Sequence, residues 1–344
     1  MRIAQVAPPW LAVPPKGYGG IEWVVSLLAD GLVDRGHDVT LFATGDSTTK
    51  AHLEYFFEQA PGSEVIDSPW HDNVHTLRAF RDPSSFDIYH VHSCWSAIVA
   101  GALSPRPVVH TLHGQFTRQM RLLYAEVADR MWFVAISEAQ REHMPELRYA
   151  GVVYNGIDLE RYPCRPEKEN YVLFLGRASP DKGLLRAVET ARAAGERLVL
   201  ALKIASPDEH EYWENDVKPL LPSDVEIHGE IPYEEKVELL SRARAVLFPI
   251  DWDEPFGLVM TEAMACGTPV IATPRGAVPE IVVDGETGFI VPVEDYVEAA
   301  VAKLQELDRI DPKACRRRVD ERFSKEAMVE GYERVFERAL SEVR

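Results

Sequence analysis

Two glutamates, Glu254 and Glu262, lie in the segment DEPFGLVMTEAMACGTPVIAT, which runs from Asp253 to Thr273. The preceding run RAVLFPI predicts a buried strand, and LVMTEAMACG predicts a helix that ends at Gly267, a residue type suited to the position after a helix. The first glutamate therefore lies in the loop at the carboxyl end of a strand. The second lies about one turn into the following helix.

The turn before this helix is expected to present backbone amides to a ligand. Pro255 and Gly257 suit a tight turn, and the amides of Phe256, Gly257 and Leu258 would have no acceptor inside the helix. Glu254 would then meet one part of a ligand and Glu262 another part. Taken alone, either glutamate is better explained as an ordinary residue of a helix terminus or of an exposed helix face.

A second cluster, LGRASPDKG, also joins a predicted strand to a helix. Arg177 and Lys182 supply two cations, and Gly176 and Gly183 allow close approach of the backbone. Two cations near a helix N-terminus indicate an anion site suited to a diphosphate. The G-x-x-x-x-G-K-[ST] phosphate loop is absent. Taken alone, this stretch is better explained as a surface turn.

A third, glycine-rich stretch, KGYGGIEWV, lies between the first predicted strand and the first helix. The insert PPWLAVPPK separates its glycines from the strand, so the G-x-G-x-x-G dinucleotide fingerprint is not met. Gly19 and Gly20 suit a flexible lip whose amides approach a ligand across a cleft. A plain glycine-rich loop explains the residues equally well.

The histidines and one acidic pair raise the question of a metal. His90 and His92 point to one face of a predicted strand, while His113 follows another strand and precedes a glycine. Because H-E-x-x-H and comparable sets are missing, we predict no metal site. The Asp251 and Asp253 pair resembles a D-x-D motif only weakly. His113 is the better candidate for the cleft, and His90 is expected in the core.

Strands and helices alternate along the chain, which predicts two doubly wound parallel sheets. The strand candidates are Ile3–Ala7, Asp38–Ala43, Asp87–His92, Val108–Leu112, Trp132–Ile136, Val152–Tyr154, Tyr171–Leu175, Leu198–Ile204, Val225–His228, Ala245–Pro249, Val270–Ala272 and Phe289–Val291. We expect an N-terminal domain over 1–163 and a C-terminal domain over 164–325. A final helix at about 326–344 is expected to pack back on the first domain. Ligands would bind in a central cleft at the carboxyl ends of the strands.

The composition is that of a globular enzyme, with 344 residues, 46% hydrophobic and 27% charged. A net charge of −18 argues against nucleic acid and against docking on anionic lipid. The four cysteines are far apart, which indicates neither a zinc site nor a disulfide framework. Without a signal peptide or a long apolar run, we expect a reduced cytoplasmic protein without membrane association.

Together these stretches resemble the retaining glycosyltransferases of family 4, which have the GT-B fold of two Rossmann-like domains facing a central cleft. The resemblance covers nearly the whole chain. The matching features are the E-x7-E motif at Glu254 and Glu262, G-R and K-G at Gly176-Arg177 and Lys182-Gly183, G-G-x-E at Gly19–Glu22, H-G at His113-Gly114, the junction NGIDLERY, and the late block GAVPEIVVDGETGFIV. The lead-in IDWDE departs from the serine-rich pattern typical of the family.

The resemblance implies a UDP- or GDP-sugar donor of the hexose type, bound mainly by the domain over 164–325. It also implies retention of anomeric configuration and no required metal or cofactor. Arg177 and Lys182 would neutralise the diphosphate, with Gly19 and Gly20 closing over it. Glu262 would accept hydrogen bonds from the ribose hydroxyls, as acidic residues do in dinucleotide folds.

The resemblance also assigns the sugar side of the donor. Glu254 would bind the sugar hydroxyls, and His113 would hold the sugar by its carbonyl or ring. Further donor contacts would come from the helix start and from the base pocket, at Phe256, Gly257, Leu258, Val259 and Ile231. The acceptor is expected to be a soluble small molecule or saccharide with a free hydroxyl. Its pocket candidates, for which core packing is an equal explanation of the tryptophans, are Tyr18, Trp23, Trp95, Phe116 and Arg118.

Other functions stay open on the sequence alone. A nucleotide-sugar epimerase or a phosphorylase could use the same fold, and a non-catalytic nucleotide-sugar sensor could keep the same residues. Asp46 after the second strand weakly favours an NAD-dependent oxidoreductase, against which the missing fingerprint counts. A glycoside hydrolase acting through Glu254 and Glu262 is disfavoured, because one glutamate is committed to the helix face.

Overall fold

Two separate parallel sheets form the framework of the chain in the computed structural model, which describes residues 1–17, 19–66, 68–92 and 95–342. They belong to two compact units. One unit comprises Met1–Ile157 and the chain from Lys325 onward, and the other comprises Asp158–Ser324.

The first unit contains a seven-stranded sheet in the order β3-β2-β1-β4-β5-β6-β7. Its strands are β1 (Arg2–Val6), β2 (Asp38–Ala43), β3 (His52–Tyr55), β4 (Ile88–Val91), β5 (Val108–Leu112), β6 (Trp132–Ala135) and β7 (Tyr149–Val152). Every neighbouring pair is parallel. The strand order reverses between β1 and β4, and that reversal is the point where doubly wound sheets bind ligands.

Helices cover both faces of this sheet, so its central strands are buried and consist of nearly continuous apolar runs. The helices are α1 (Gly20–Asp34), α2 (Pro69–Ala79), α3 (Trp95–Ala102), α4 (Arg118–Val127) and α5 (Glu138–Glu142). In α1 the apolar residues at helical spacing, Val24, Val25, Leu28 and Leu32, are all buried. Amphipathic spacing thus fixes which face of α1 packs on the sheet.

The second unit contains a six-stranded sheet in the order β10-β9-β8-β11-β12-β13, again with parallel neighbours. Its strands are β8 (Val172–Arg177), β9 (Leu198–Lys203), β10 (Glu226–His228), β11 (Ala245–Phe248), β12 (Val270–Ala272) and β13 (Gly288–Ile290). Its helices are α6 (Leu184–Ala194), α7 (Pro207–Tyr212), α8 (Tyr233–Arg242), α9 (Leu258–Ala265), α10 (Val278–Ile281), α11 (Tyr296–Leu304) and α12 (Pro312–Arg322). Here the strand order reverses between β8 and β11.

The last helix, α13 (Lys325–Ser341), is part of the first unit. It packs closely on α1, where a Cβ placed on Gly31 would lie 2.5 Å from a methyl group of Val329. Its buried Tyr332 donates to or accepts from the hydroxyl of Thr111 at the end of β5, over 2.9 Å. The absence of a side chain on Gly31 therefore allows the close approach of α13.

The predicted fold class is confirmed, and most predicted strands are present with ends shifted by a residue or two. The structure also contains one strand that was not predicted, the edge strand β3 with the sequence HLEY. Its residues alternate between polar and apolar, but the strand has only four residues, and so short a pattern does not distinguish a strand from a loop. The strand predicted at Val152–Tyr154 begins three residues earlier in the structure, where β7 spans Tyr149–Val152.

No helix within the described ranges combines the length and the apolar character needed to cross a membrane. Among the same residues, no group of three or more His, Cys, Asp or Glu side chains is arranged to hold a metal ion.

Candidate active site

The strand reversal of the second unit brings together Lys182 and Glu254. The loop after β8 carries Lys182 and the loop after β11 carries Glu254, and these strands are hydrogen-bonded neighbours. Lys182 Nζ donates to Glu254 Oε2 over 2.7 Å, and the two side chains are only 18% and 12% exposed. Two stretches that are far apart in sequence thus form one ion pair at the ligand-binding end of the sheet.

Close backbone contacts lock the two loops together. Gly183 has φ +74°, and a Cβ on it would lie 1.9 Å from the carbonyl oxygen of Pro249. The N–H of Asp251 donates to the carbonyl of Asp181 over 2.8 Å. The glycine in K-G is therefore required by space as well as by conformation.

Arg177 has its own acidic partners. Its guanidinium lies 3.0 Å from Glu209 and 3.5 Å from Asp181. Glu209 also forms the capping box of α7 with Ser206, so its carboxylate is held by backbone amides as well. The structure thus joins Lys182 to Glu254, while Arg177 pairs with Glu209 and Asp181.

The turn before α9 places the predicted donor residues in different environments. Gly257 precedes the helix with φ +89°, and Leu258 and Val259 are half-buried residues of its first turn, where N–H groups have no acceptor within a helix. Phe256 is 2% exposed and its ring packs against Phe323. The side chain of Phe256 is therefore part of the core, and only its backbone can serve a ligand.

Glu262 is buried in α9 and carries two partners on one oxygen. Tyr162 donates its hydroxyl to Oε1 over 2.9 Å, and Lys236 of α8 donates its ammonium to the same oxygen over 2.5 Å. Burial and the neighbouring Glu262 charge raise the pKa of Tyr162 well above its usual value, which keeps it a donor. Ile231 is half-buried in the segment between β10 and α8.

In the first unit, His113 follows β5 and contacts His92, which follows β4. His92 Nδ1 and His113 Nε2 lie 2.9 Å apart, and His92 Nε2 lies 3.0 Å from Oε1 of Gln5. Burial lowers the pKa of His113 to about 3 and that of His92 well below its usual value, with other histidines contributing. Both rings are neutral near pH 7, so one of these two nitrogens carries a hydrogen and donates a hydrogen bond to the other, which accepts.

Gly19 and Gly20 stand at the start of α1, in the same unit. Gly19 has φ +148° and precedes the helix, and Gly20 is its first residue. In the first turn, Glu22 is 5% exposed, and burial raises the pKa of its carboxyl to about 7. The G-G-x-E stretch therefore combines a backbone that favours glycine with a carboxyl that titrates near neutrality.

The predicted acceptor residues are placed at the starts of helices in the first unit. Trp95 begins α3 and is 39% exposed, and Arg118 begins α4 and is exposed. Phe116 is half-buried and packs against Tyr124. Trp23 is half-buried in α1, and Tyr18 lies outside the described residues.

Asp251 binds guanidinium groups. Its two carboxylate oxygens accept from Arg186 over 2.9 Å and from Arg275 over 3.0 Å. Hydrogen bonding and charge interaction with Arg186, together with Arg275, lower the pKa of Asp251. Asp251, one of the two residues of the D-x-D resemblance, is thus part of an ion-pair network.

Some residues that shape the site were not singled out from the sequence. Lys236, Tyr162 and Glu209 contact predicted site residues that lie 26, 100 and 32 positions away. Neither spacing nor composition indicates a role for Lys236 or Tyr162. A partial signal exists for Glu209, since S-x-x-E before a helix indicates a capping box.

Family comparisons cover nearly the whole chain. The family model described as Glycosyltransferase Family 4 matches residues 18–161, and the model described as Glycosyl transferases group 1 matches residues 161–323. A phosphatidyl-myo-inositol mannosyltransferase of Mycolicibacterium smegmatis is 28% identical, over 88% of this chain and 84% of the relative.

Solved structures agree with the fold. AviGT4, a glycosyltransferase involved in avilamycin A biosynthesis, is 28% identical with a TM-score of 0.75, covering 100% of this chain and 99% of that one. Anabaena HepE in complex with UDP and glucose is 21% identical with a TM-score of 0.75, covering 97% and 98%. The two doubly wound units are thus those of the GT-B fold. The chain belongs to the family 4 glycosyltransferases.

Proposed function

We propose that the protein transfers a hexose-type sugar, with retention of configuration, from a UDP- or GDP-linked donor to the hydroxyl of an acceptor. The observation that carries the proposal is the Lys182–Glu254 ion pair at the strand reversal of the second unit. It supports the proposal because a cation that would neutralise the leaving diphosphate lies next to a carboxylate that would bind the sugar hydroxyls.

The second unit would hold the donor. Lys182 and Arg177 would contact the diphosphate, and the first-turn amides of α9 would add donors at the positive end of the helix. Glu262 lies in α9, the helix that follows Glu254, and would accept from the ribose hydroxyls, while the base would lie near Ile231. The UDP and glucose named with Anabaena HepE, and the mannosyl transfer named for the mycobacterial relative, support a nucleotide sugar as donor.

The main catalytic effect would be stabilisation of the leaving group. Glycosyl transfer passes through a state with oxocarbenium character in the sugar and negative charge on the departing diphosphate. Fixed cations aimed at that charge stabilise the transition state without reorganisation. Because Arg177 and Lys182 supply them, we propose that the reaction requires no metal and no cofactor.

The first unit would contribute the sugar and acceptor contacts. His113, neutral near pH 7, would bind the sugar by its ring or its carbonyl. Gly19 and Gly20 would approach the diphosphate with backbone amides. We propose a soluble saccharide or small molecule as acceptor, bound near Trp95, Phe116 and Arg118 at the starts of the helices.

A thermal-shift screen tests the donor site. A ligand that binds only the folded state raises the melting temperature. At a concentration of 100 times its dissociation constant it increases the free energy of unfolding by about 2.7 kcal/mol. We expect UDP or GDP, and the matching nucleotide sugars, to stabilise the protein, and Lys182→Ala to remove the shift. Stabilisation by NAD alone would contradict the proposal.

A transfer assay then separates transferase from epimerase and phosphorylase. The donor that stabilises the protein is incubated with soluble saccharide acceptors and, because the mycobacterial relative is named for a phosphatidyl acceptor, with lipid acceptors in vesicles. We expect an acceptor-dependent glycoside of unchanged anomeric configuration by NMR, formed equally in chelator. Complete loss in chelator with recovery on Mn²⁺ or Mg²⁺ would overturn the metal-independent mechanism.

A further inference from the structure

We propose that Trp252 is a positioning residue for Lys182, holding its ammonium group by a cation–π contact during transfer. The inference rests on the proposed function, since it assigns a task to a neighbour of the proposed diphosphate-binding lysine. Trp252 belongs to the lead-in IDWDE, where the sequence departs from the family pattern.

The ammonium of Lys182 lies between an aromatic face and a carboxylate. Its Nζ is 4.1 Å from the centroid of the Trp252 ring and 2.7 Å from Glu254 Oε2. Tryptophan is the strongest aromatic partner for a cation, and the attraction grows as the pair is removed from water. Lys182 is 18% exposed, so the contact is largely shielded.

The backbone around Trp252 is fixed on both sides. Asp251 before it donates its N–H to Asp181 and holds two guanidinium groups. Glu254 after it donates its N–H to the carbonyl of Trp252 over 2.9 Å. The ring is therefore carried on a loop that is tied to the segment bearing Lys182.

The indole N–H takes no part in this arrangement. Nε1 of Trp252 is buried and has no hydrogen-bond partner among the described residues. Buried tryptophans usually satisfy this group. The polar contact of the ring is therefore made through its face, over which the ammonium of Lys182 lies.

A ring and a carboxylate hold the lysine in different ways. A carboxylate oxygen accepts a directed hydrogen bond from one N–H of an ammonium group, whereas an aromatic face attracts the whole cation and occupies no single acceptor direction. Phosphate oxygens could therefore engage Lys182 while Trp252 still restrains its flexible stem. A cation restrained in this way needs little reorganisation as charge develops on the leaving group.

A double-mutant cycle tests the proposal, with UDP as the probe. Wild type, Trp252→Leu, Lys182→Ala and the double variant are compared by calorimetric UDP affinity and melting temperature, and the first two also by kcat and KM. We expect Trp252→Leu to lower kcat/KM by about two- to thirtyfold and Trp252→Phe by less, because a smaller aromatic face remains. In the Lys182→Ala background, Trp252→Leu should leave UDP affinity unchanged. Trp70→Leu, at an exposed tryptophan of α2, is the matched control and should behave as wild type.

The outcomes separate this proposal from the proposed function. The proposal is overturned if Trp252→Leu lowers UDP affinity equally with and without Lys182. It is also overturned if Trp252→Phe lowers kcat/KM as much as Trp252→Leu does, because either result would mean that the ring has only a structural role. If wild type binds no UDP, GDP replaces it as the probe. Failure of the wild type to bind either nucleotide refutes the proposed donor. The melting temperatures then still decide, because strictly additive shifts would show that ring and ammonium do not interact.

Discussion

Tyr162 and Glu262 form a hydrogen bond in which the phenolic hydroxyl donates to Oε1 of the buried carboxylate over 2.9 Å. Lys236 binds the same oxygen. A buried carboxylate is costly unless it is paired and hydrogen-bonded, and these two groups stabilise its charged form. Glu262 is thus held by one oxygen, which orients the carboxylate for the ribose contact proposed above.

We predict that Tyr162→Phe weakens nucleoside diphosphate binding by about three- to tenfold, the range expected for one hydrogen bond. The hydroxyl orients Glu262, which would contact the ribose equally in the ground state and the transition state. KM for the donor should therefore rise with little change in kcat. Steady-state kinetics and calorimetry measure both quantities.

The ribose itself supplies the control for this prediction. A 2′,3′-dideoxy nucleoside diphosphate has no hydroxyl for Glu262 to bind, so wild type and Tyr162→Phe should bind it with equal affinity. If the variant loses as much affinity for the dideoxy ligand as for the parent, Tyr162 acts on the donor by another route.

We predict that Lys182→Ala and Glu254→Ala each abolish most transfer while the protein stays folded. Removal of one electrostatic contact to a developing charge typically lowers the rate about 10²- to 10³-fold. Each substitution also leaves its partner unpaired and partly buried, which should lower the melting temperature modestly. Transfer rates, circular dichroism and thermal unfolding test this, and near-normal turnover in either folded variant would refute the site assignment.

The sequence was informative wherever one local pattern determines position. A buried strand followed by a glycine-containing turn and a helix predicts a loop at the carboxyl edge of a parallel sheet. Both stretches so recognised, at Lys182 and Glu254, lie at that edge on adjacent strands. The apolar residues that recur at helical spacing in α1 are likewise those on its buried face.

The partners of the site side chains could not be predicted from the sequence, because they depend on packing between elements that are distant in the chain. Lys236 and Tyr162 meet Glu262 only once α8 and the segment after the first unit pack beside α9. Arg177 was expected at a diphosphate, and its pairing with Glu209 follows from the placement of α7. Edge strand β3 was not predicted because its alternating pattern extends over only four residues and includes no fully buried position.

We predict that Glu22→Gln alters the pH dependence of stability in a defined direction. Burial raises the pKa of Glu22 from 4.5 to about 7, so the folded state binds this proton more tightly than the unfolded state does. The stabilising contribution is complete below about pH 4.5 and is lost as pH rises through about 7. Across this pH window, the free energy of unfolding of the wild type should therefore fall by roughly 3 kcal/mol relative to that of Glu22→Gln. Denaturant unfolding at a series of pH values measures the difference, and a pH-independent difference would contradict it.

We predict that Gly276→Ala impairs both folding stability and transfer. Gly276 has φ +53°, and a Cβ there would lie 2.4 Å from the backbone nitrogen and 2.3 Å from the carbonyl oxygen of Glu254. Because neither backbone atom can move alone, the loop that carries Glu254 must shift, and a displacement of about 1 Å can cost on the order of 10²-fold in rate. Transfer kinetics and thermal unfolding report the two effects.

Gly285→Ala is the matched control, because it separates backbone conformation from collision. Gly285 has φ +74°, yet a Cβ on it would meet nothing within 4 Å. Its substitution should cost only the left-handed conformation, roughly 1–2 kcal/mol, and leave transfer unchanged. Gly276→Ala should lose more stability than that and should also lose activity. Equal behaviour of the two variants would mean that the loop bearing Glu254 tolerates the extra carbon, so that its exact placement does not limit the reaction.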